Sequence, residues 1–254
     1  MSYQLPQGEH WQVGTFIKTT SPQCVEILGG SGLDFAVLDA EHAPFDRSTL
    51  DLALMAGKSV GLPLFVRVLE STAAGLLSVL DMGAAGVLVP HVDTPEQARE
   101  VVAHCRYVGG QRGYSSSPRA AGYGLLGMKE AIRQGDLKLL VAQIESLTAV
   151  KNAAAIAAVD GVAGIFVGRA DLALSMGLDS AQAPEVLTAT EQVVHAGLAA
   201  GKVVGMAVGS FEERDKYLAM GVRWFIHASD QTLLRQAASA IARPSTVTQL
   251  KAKA

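Results

Sequence analysis

Eight short apolar segments recur along the chain and alternate with patterns typical of amphipathic helices. The apolar segments lie at residues 13–18, 35–39, 64–68, 86–90, 139–145, 163–168, 203–208 and 223–228. Most of them are apolar at every position, as expected for parallel strands that are buried on both faces. Helical patterns occupy residues 46–58, 72–82, 94–105, 147–158, 184–200, 211–220 and 230–242. The chain therefore reads as a series of strand–helix units.

The spacing of these units predicts a closed barrel. Eight strand–helix units in a chain of 254 residues is the usual size of a (β/α)₈ barrel, so we predict one such domain over residues 1–254. An open doubly wound sheet is the alternative, but it usually has fewer strands and a glycine-rich phosphate loop after its first strand. Here the segment after the first strand, Lys18–Pro22, contains no glycine and so no such loop. A GxGxxG pattern does occur at 122–127, but it follows the segment SSSPRAA. A dinucleotide-binding loop would have to follow a strand directly, so this pattern is not interpreted as one.

One connection departs from the regular spacing. Residues 106–138, between the fourth and fifth strands, are long and rich in Gly, Ser and Arg. We expect an excursion of this length to be functional, as long loops after barrel strands usually are. Its arginines, Arg106, Arg112 and Arg119, are candidates for binding an anionic substrate tail, although a solvated loop is an equally good interpretation.

Composition and charge exclude several other classes of protein. With 21 basic and 24 acidic residues the net charge is −3, so nucleic acid and anionic membranes are not expected partners. No apolar run reaches the roughly 20 residues of a membrane-spanning helix. The two cysteines, Cys24 and Cys105, are too few for a disulfide scaffold and lack metal-ligand spacing. We therefore expect a soluble cytoplasmic protein.

Polar residues gather where the predicted strands end, which is where barrel enzymes carry their chemistry. The most anomalous is Arg67, a guanidinium within an apolar strand that must meet an anion. It either forms a structural ion pair with a carboxylate of a neighbouring strand or binds an oxyanion or carboxylate of a ligand.

Two carboxylates follow adjacent strands and suggest a cation site. Glu145 comes after the fifth strand, beyond Gln143, and Asp171 comes after the sixth. Such a pair, with no cysteine or histidine beside it, suits an oxygen-preferring cation such as Mg²⁺ or Mn²⁺. Alternatively, Glu145 caps a helix and Asp171 is a surface acid, although Ser146 is itself a suitable cap.

A histidine with a neighbouring carboxylate provides a candidate base. His42 lies three residues beyond Asp39, close enough for the carboxylate to orient the imidazole. His91, at the end of the fourth strand, is a weaker candidate. That it is only a loop residue is an equally good interpretation. Imine catalysis is disfavoured, because only Lys18 ends a strand and Lys202 precedes one.

These residues form motifs that occur together in one known family. The motifs are DAEHAPFD at 39–46, the arginine of FVRV, VDTPEQAR at 92–99, QRG at 111–113, QIES at 143–146 and GRADL at 168–172. The chain resembles the metal-dependent class II pyruvate aldolases (HpcH/HpaI aldolases), which include 4-hydroxy-2-oxoheptanedioate aldolase and 2-dehydro-3-deoxyglucarate aldolase. The similarity runs over nearly the whole chain.

The resemblance implies a fold and an activity. The family is a (β/α)₈ barrel, typically a homo-hexamer whose last helix is exchanged between subunits. It cleaves a 4-hydroxy-2-oxo acid reversibly to pyruvate and an aldehyde, using a divalent cation such as Mg²⁺, Mn²⁺ or Co²⁺. Small-molecule substrates, and no nucleic acid or membrane, are the expected partners.

The resemblance also implies roles for individual residues. Glu145 and Asp171 would hold the metal, Arg67 would stabilise the enolate oxygen, and Asp39 with His42 would form the acid/base dyad. In the substrate site, Gln143 would support these groups, and the backbone amides of Ala170 and Asp171 would bind the pyruvate carboxylate.

The chain also departs from the family pattern. Arg169 stands where members commonly have proline, and His91 where they have an apolar residue. Ala207 and Val208 suggest a roomy site for the aldehyde. Two other functions are weighed: a citrate-lyase-like acyl-CoA lyase, which needs a groove for a cofactor tail that so short a chain hardly provides, and a non-catalytic binding barrel, against which the intact site argues.

Overall fold

Hydrogen bonding between parallel strands closes a barrel of eight strands in chain order, with β1 paired to β8. The computed structural model describes residues 3–242. The strands are β1 (Gln12–Ile17), β2 (Phe35–Asp39), β3 (Leu64–Arg67), β4 (Gly86–Val89), β5 (Leu139–Ile144), β6 (Gly164–Val167), β7 (Val203–Val208) and β8 (Trp224–Ser229). All eight strands were predicted from the sequence, and the (β/α)₈ barrel is confirmed.

Helices surround the barrel. They are α1 (Pro22–Gly29), α2 (Arg47–Val60), α3 (Ala73–Asp81), α4 (Pro95–Cys105), α5 (Met128–Asp136), α6 (Leu147–Ala157), α7 (Arg169–Ser175), α8 (Pro184–Ala199), α9 (Phe211–Ala219) and α10 (Asp230–Ile241), with a short 3₁₀ helix at Arg119–Gly124. The side chain of Thr94 caps the start of α4, since it accepts a hydrogen bond from the backbone N–H of Gln97.

Helices α1, α5 and α7 were not predicted from the sequence. Each has at most nine residues and no side-chain N-cap, whereas the equally short α3 and α9 begin with the capping residues Thr72 and Ser210. Among the residues of α1, only Val25 is buried, so its apolar pattern carries almost no signal.

The long excursion does not lie where the sequence suggested. It follows α4 and therefore connects a helix to the start of β5, away from the strand ends that form the mouth. Arg112 is buried and donates to Asp81 at the end of α3, at 2.8 Å. Arg119 donates to Asp51 of α2 at 2.7 Å and to the carbonyl of Met82. The expectation that these two arginines bind a substrate tail is therefore wrong.

Aromatic side chains fill the floor of the barrel. Phe35 and Trp224 stack with ring centroids 4.4 Å apart, and Phe65 and Phe166 meet Trp224 edge-on. Tyr3 closes the floor from below, and its hydroxyl accepts a hydrogen bond from the Trp224 indole at 3.0 Å. This apolar layer supports the polar residues at the opposite end of the barrel.

The last predicted helix is present as α10, up to Ile241. Its exchange between subunits stays a prediction, and residues 243–254 of the predicted domain lie outside the described residues. In the part of the chain that is described, no helix is both long and apolar enough to cross a membrane.

The stacked floor generates a stability prediction. Trp224 is almost fully buried, so Trp224→Ala leaves a large cavity and should lower the free energy of unfolding by about 3–5 kcal/mol. Phe211→Ala, at a residue 64% exposed, is the matched control and should change it by less than about 1 kcal/mol. Urea unfolding followed by circular dichroism measures both, and equal losses in the two variants would contradict this account of the floor.

Candidate active site

A layer of polar side chains lies above the aromatic floor, at the carboxyl ends of the strands. Asp39 on β2 and Arg67 on β3 occupy paired positions in the parallel ladder. Gln143 is near the end of β5, and Glu145 follows directly after that strand. All four of these residues are buried, so their charges and dipoles must be satisfied within the protein or by a ligand.

Asp39 and Arg67 form a two-pronged ion pair. Arg67 Nε donates to Asp39 Oδ1 at 2.9 Å and Arg67 Nη2 donates to Oδ2 at 2.7 Å. The ammonium of Lys18, at the end of β1, lies 3.1 Å from Asp39 Oδ2. Burial disfavours the ionised form of Asp39, but the bonds from Arg67 and Lys18 outweigh it and lower its pKa. Asp39 is therefore held as a carboxylate.

The structural interpretation of Arg67 thus has its partner, a carboxylate on the neighbouring strand. The same geometry also leaves a donor available. Within residues 3–242, Nη1 of Arg67 has no hydrogen-bond partner, while the guanidinium lies over the Phe16 ring at 4.7 Å from its centroid. A pair fixed in this way presents the remaining N–H groups in a defined direction, as recognition of an anion requires.

Glu145 is buried at the centre of the mouth. Its Oε1 accepts a hydrogen bond from the backbone N–H of His91 at 2.7 Å, and its Oε2 accepts one from the Gln143 amide. Ser146, and not Glu145, caps the next helix, since the Ser146 hydroxyl accepts from the backbone N–H of Ala149. Glu145 is therefore not a helix cap.

Gly168 explains how this carboxylate fits. A Cβ atom at this position would lie 2.7 Å from Oε2 of Glu145 and 3.2 Å from Nε2 of Gln143. Only glycine allows β6 to approach the carboxylate so closely, which accounts for the glycine of the GRADL motif.

Two observations test whether these residues fit a divalent cation. Burial raises the pKa of Glu145, and the negative charge of Asp171 in the first turn of α7 raises it further. Gln143 Oε1 is buried, and no hydrogen-bond partner reaches it among residues 3–242. A cation would relieve both the repulsion between the carboxylates and this unpaired oxygen, so the residues fit.

The protein would supply only part of the coordination sphere. The described residues contain no group of three or more His, Cys, Asp or Glu side chains able to hold a metal ion. Two carboxylates, with water and substrate in the other positions, are a common arrangement for Mg²⁺.

The candidate base is placed differently from the prediction. Asp39 accepts a hydrogen bond from the backbone N–H of His42 at 3.2 Å, whereas Nε2 of the His42 imidazole lies 3.6 Å from Oε2 of Glu41. Glu41 also lies 3.2 Å from Nε2 of His91 through its other oxygen. The carboxylate beside the His42 ring is therefore that of Glu41.

His91 joins the two sides of the mouth. Its backbone has a φ of 56°, a left-handed conformation that residues other than glycine rarely adopt. This conformation directs its N–H towards Glu145, while its ring contacts both Glu145 and Glu41. Such backbone strain is common where function constrains the chain.

Arg169 forms part of a set of contacts that we call the clasp: Arg169, Gln182, Ala207, Gly209 and Glu213. Arg169 donates to Glu213 at 2.6 Å and to the carbonyl of Ala207 at 2.8 Å. Glu213 also accepts from the backbone N–H of Gly209 at 2.7 Å and from Gln182 at 3.2 Å. The clasp ties the start of α7 to the end of β7 and to α9, so the Arg169 charge is already paired within the protein.

The predicted aldehyde side is only partly as expected. Ala207 packs against the cluster inside the barrel, but Val208 belongs to the layer between strands and helices. The reason is that successive side chains of a strand point to opposite faces. Of these two residues, therefore, Ala207 faces the interior of the barrel and Val208 does not.

Neither Glu41 nor Glu213 was among the predicted site residues. The one available signal for Glu41 was its position between Asp39 and His42, just beyond a strand end. Nothing local marks Glu213, because its partner Arg169 lies 44 residues away.

A closed (β/α)₈ barrel with carboxylates and an arginine at its mouth defines an enzyme of the TIM-barrel class. The model of the HpcH/HpaI aldolase/citrate lyase family matches residues 12–237 of the chain. The protein belongs to this family, which makes it a lyase of the aldolase type and confirms the resemblance found in its motifs.

Individual relatives agree with this assignment. The 5-keto-4-deoxy-D-glucarate aldolase of Klebsiella pneumoniae subsp. pneumoniae is 38% identical over 233 residues, which is 91% of each chain. The 2-keto-3-deoxy-L-rhamnonate aldolase of the same bacterium is 38% identical over 89% of this chain and 85% of its own. The crystal structure of a family protein from Burkholderia cenocepacia J2315 superimposes with a TM-score of 0.88, at 29% identity over 96% of both chains.

The clasp generates a prediction about pH. Burial favours the neutral form of Glu213, but the bonds from Arg169 and Gly209 outweigh it and lower its pKa from 4.5 to about 2. A depressed folded-state pKa stabilises the fold above pH 4.5, and this stabilisation is lost as pH falls towards 2. Glu213→Gln should therefore lower the free energy of unfolding by about 1–3 kcal/mol at pH 7.

Urea unfolding at several pH values tests this expectation. The difference between wild type and Glu213→Gln should shrink steadily as the pH falls from 5 to about 2. Glu185→Gln, at an exposed carboxylate on α8, is the control and should leave stability nearly unchanged at every pH. A difference for Glu213→Gln that is independent of pH would contradict the charged clasp.

Proposed function

We propose that this protein catalyses the reversible aldol cleavage of a 4-hydroxy-2-oxo acid to pyruvate and an aldehyde. The observation that carries the proposal is the mouth itself, where the buried Glu145 carboxylate and the buried Arg67 guanidinium lie above a closed barrel floor. The relatives at 38% identity bear the names of aldolases acting on keto-deoxy sugar acids, which favours this class of substrate over an acyl-CoA.

A divalent cation, Mg²⁺, Mn²⁺ or Co²⁺, is proposed as the cofactor, with Glu145 and Asp171 as its protein ligands. When bound, such a cation acts as a Lewis acid on the carboxylate and keto oxygens of the 2-oxo acid. Gln143 donates to Glu145 and so fixes the orientation of that ligand, as partners of metal ligands commonly do.

The remaining groups bind and polarise the substrate. The backbone amides of Ala170 and Asp171 are proposed to hold the pyruvate carboxylate. Arg67, aimed by its pairing with Asp39, donates a charge-assisted hydrogen bond to the oxygen that becomes negative as the enolate of pyruvate forms. The aldehyde lies towards Ala207.

His42 is proposed as the base. It accepts the proton of the C4 hydroxyl while the C3–C4 bond breaks and the bonding electrons pass into the enolate. C4 becomes the carbonyl carbon of the aldehyde, which leaves. C3 of the enolate then takes up a proton to give pyruvate. Asp39 is proposed to form the acid/base dyad with His42, and its carboxylate also accepts hydrogen bonds from Arg67 and from the backbone N–H of His42.

The site is also proposed to work in a cytoplasmic homo-oligomer, a hexamer by likeness to the family. Neither nucleic acid nor a membrane has a role in the proposed reaction.

The metal proposal is tested by removing the cation. Treatment with EDTA should abolish aldol cleavage, and Mg²⁺, Mn²⁺ or Co²⁺ should restore it. Glu145→Ala and Asp171→Ala should lose metal binding in calorimetry while their circular dichroism spectra stay unchanged. Asp160→Ala, at an exposed carboxylate, is the control. Full activity after chelation, or trapping of a borohydride-reduced imine at Lys18, would overturn the proposal.

The role of Arg67 is tested with a lysine that keeps the charge but loses the planar donor pair. Arg67→Lys should slow both aldol cleavage and the exchange of pyruvate methyl protons into deuterated water by about 10²-fold or more. The exchange, followed by proton NMR, needs no aldehyde and so reports on the enolate alone. Arg99→Lys, on the exposed face of α4, is the control.

Each other result has a definite meaning. Exchange at the wild-type rate with slower cleavage would place Arg67 on the aldehyde side. If both rates persist, Arg67 serves only as the structural partner of Asp39.

A further inference from the structure

The two proposed metal ligands are held in different ways. The side chain of Glu145 is fixed by two hydrogen bonds, one from the backbone N–H of His91 at 2.7 Å and one from the Gln143 amide. Asp171 lies in the first turn of α7, and among residues 3–242 no hydrogen bond or ion pair reaches its carboxylate. The position of Asp171 therefore depends on the position of the first turn of α7.

The start of α7 lacks the features that fix the start of most helices in this protein. The helix has only seven residues, and its N-cap, Gly168, offers no side chain for a hydrogen bond. By contrast, α2, α3, α4, α6, α9 and α10 have a capping side chain, and α1 and α8 begin with proline. So short a helix has little stability of its own, so another interaction must hold its first turn.

The side chain of Arg169, the first residue of α7, provides that interaction. It is 9% exposed and donates to Glu213 Oε1 at 2.6 Å and to the Ala207 carbonyl at 2.8 Å. Glu213 is itself fixed, because its Oε2 accepts from the backbone N–H of Gly209 at 2.7 Å. The clasp thus fastens the chain to β7 and α9 two residues before Asp171.

The remaining contacts of α7 are apolar. Leu172 and Ala173 are buried and pack in one cluster with Val186 and Ala189 of α8. Apolar burial holds the helix against its neighbour but has no preferred direction, whereas hydrogen bonds depend on angle. The direction in which the first turn points is therefore set by Arg169.

We infer that the clasp is a positioning device for the metal site. Arg169, held by Glu213, fixes the first turn of α7, which presents the Asp171 carboxylate and the backbone amides of Ala170 and Asp171. The inference rests on the proposed function, in which Asp171 binds the cation. Arg169 touches neither cation nor substrate and acts through the backbone that follows it.

Charge alone would give the opposite result. Removing a positive charge close to a cation site strengthens cation binding by Coulomb's law. Loss of Arg169 would also leave the Glu213 carboxylate without its cationic partner, which adds to the same effect. Weaker cation binding after loss of Arg169 would therefore report on position and not on charge.

The first test is Arg169→Met, which keeps a long side chain and removes its donors. Mg²⁺ affinity in calorimetry should fall by about tenfold or more, as when a partner that orients a metal ligand is removed. The KM for pyruvate in the proton-exchange assay should rise, while the circular dichroism spectrum stays unchanged. Arg133→Met, at an exposed arginine paired with Glu130 on α5, is the matched control. Affinity equal to or tighter than that of the wild type would overturn the inference.

The second test is Arg169→Pro, which removes the charge but restrains the same position. Proline suits the first residue of a helix because its ring fixes φ near the helical value. Gly168 has a ψ of 80°, outside the α region, so it tolerates a following proline. This variant should keep the Mg²⁺ affinity within about threefold of the wild type. A loss as large as that of Arg169→Met would contradict a positioning role.

A cycle with Glu213→Gln completes the test. This change should weaken Mg²⁺ binding several-fold in the wild type but by less than about twofold in Arg169→Pro, where the clasp is no longer needed. Equal losses in both backgrounds would show that Glu213 acts through its charge and would overturn the inference. A wild-type protein that binds no divalent cation would overturn the metal proposal itself and, with it, this inference.

Discussion

The buried ion pair between Asp39 and Arg67 is the interaction around which the mouth of the barrel is arranged. A guanidinium in a strand interior needs an anion, and the parallel register of β2 and β3 places that anion directly beside it. Arg67 and Lys18 both contact Asp39, while the neighbouring acid Glu41 lies beside the rings of His42 and His91.

The barrel separates stability from chemistry along its axis. Aromatic rings around Trp224 fill the floor and the tyrosine at position 3 closes it, so that end needs no ligand to be stable. The other end keeps costly features: the buried Glu145, the strained backbone of His91 and the unpaired oxygen of Gln143. Costly groups that persist at one end of a well-packed fold are typical of a functional site.

The clasp joins elements that follow two neighbouring strands of the barrel. Arg169, the first residue of α7, is joined to α9 through Glu213 and to β7 through the Ala207 carbonyl. Its charge is paired within the protein, and its contacts hold the backbone at the end of β7 in place. A cation at the mouth is therefore not by itself a substrate-binding group, as the arginines of the long excursion also illustrate.

The sequence by itself determined the eight strands, most of the helices and the strand ends at which Arg67, Glu145 and Asp171 lie, because periodicity and local position are properties of neighbouring residues. Only the tertiary structure decided which charges pair. Asp39 lies three residues from His42, yet its carboxylate turns to an arginine on the next strand, and Val208 turns out of the barrel that Ala207 faces. Pairing depends on distances between residues far apart in the chain, and these exist only after the strands have closed into a barrel.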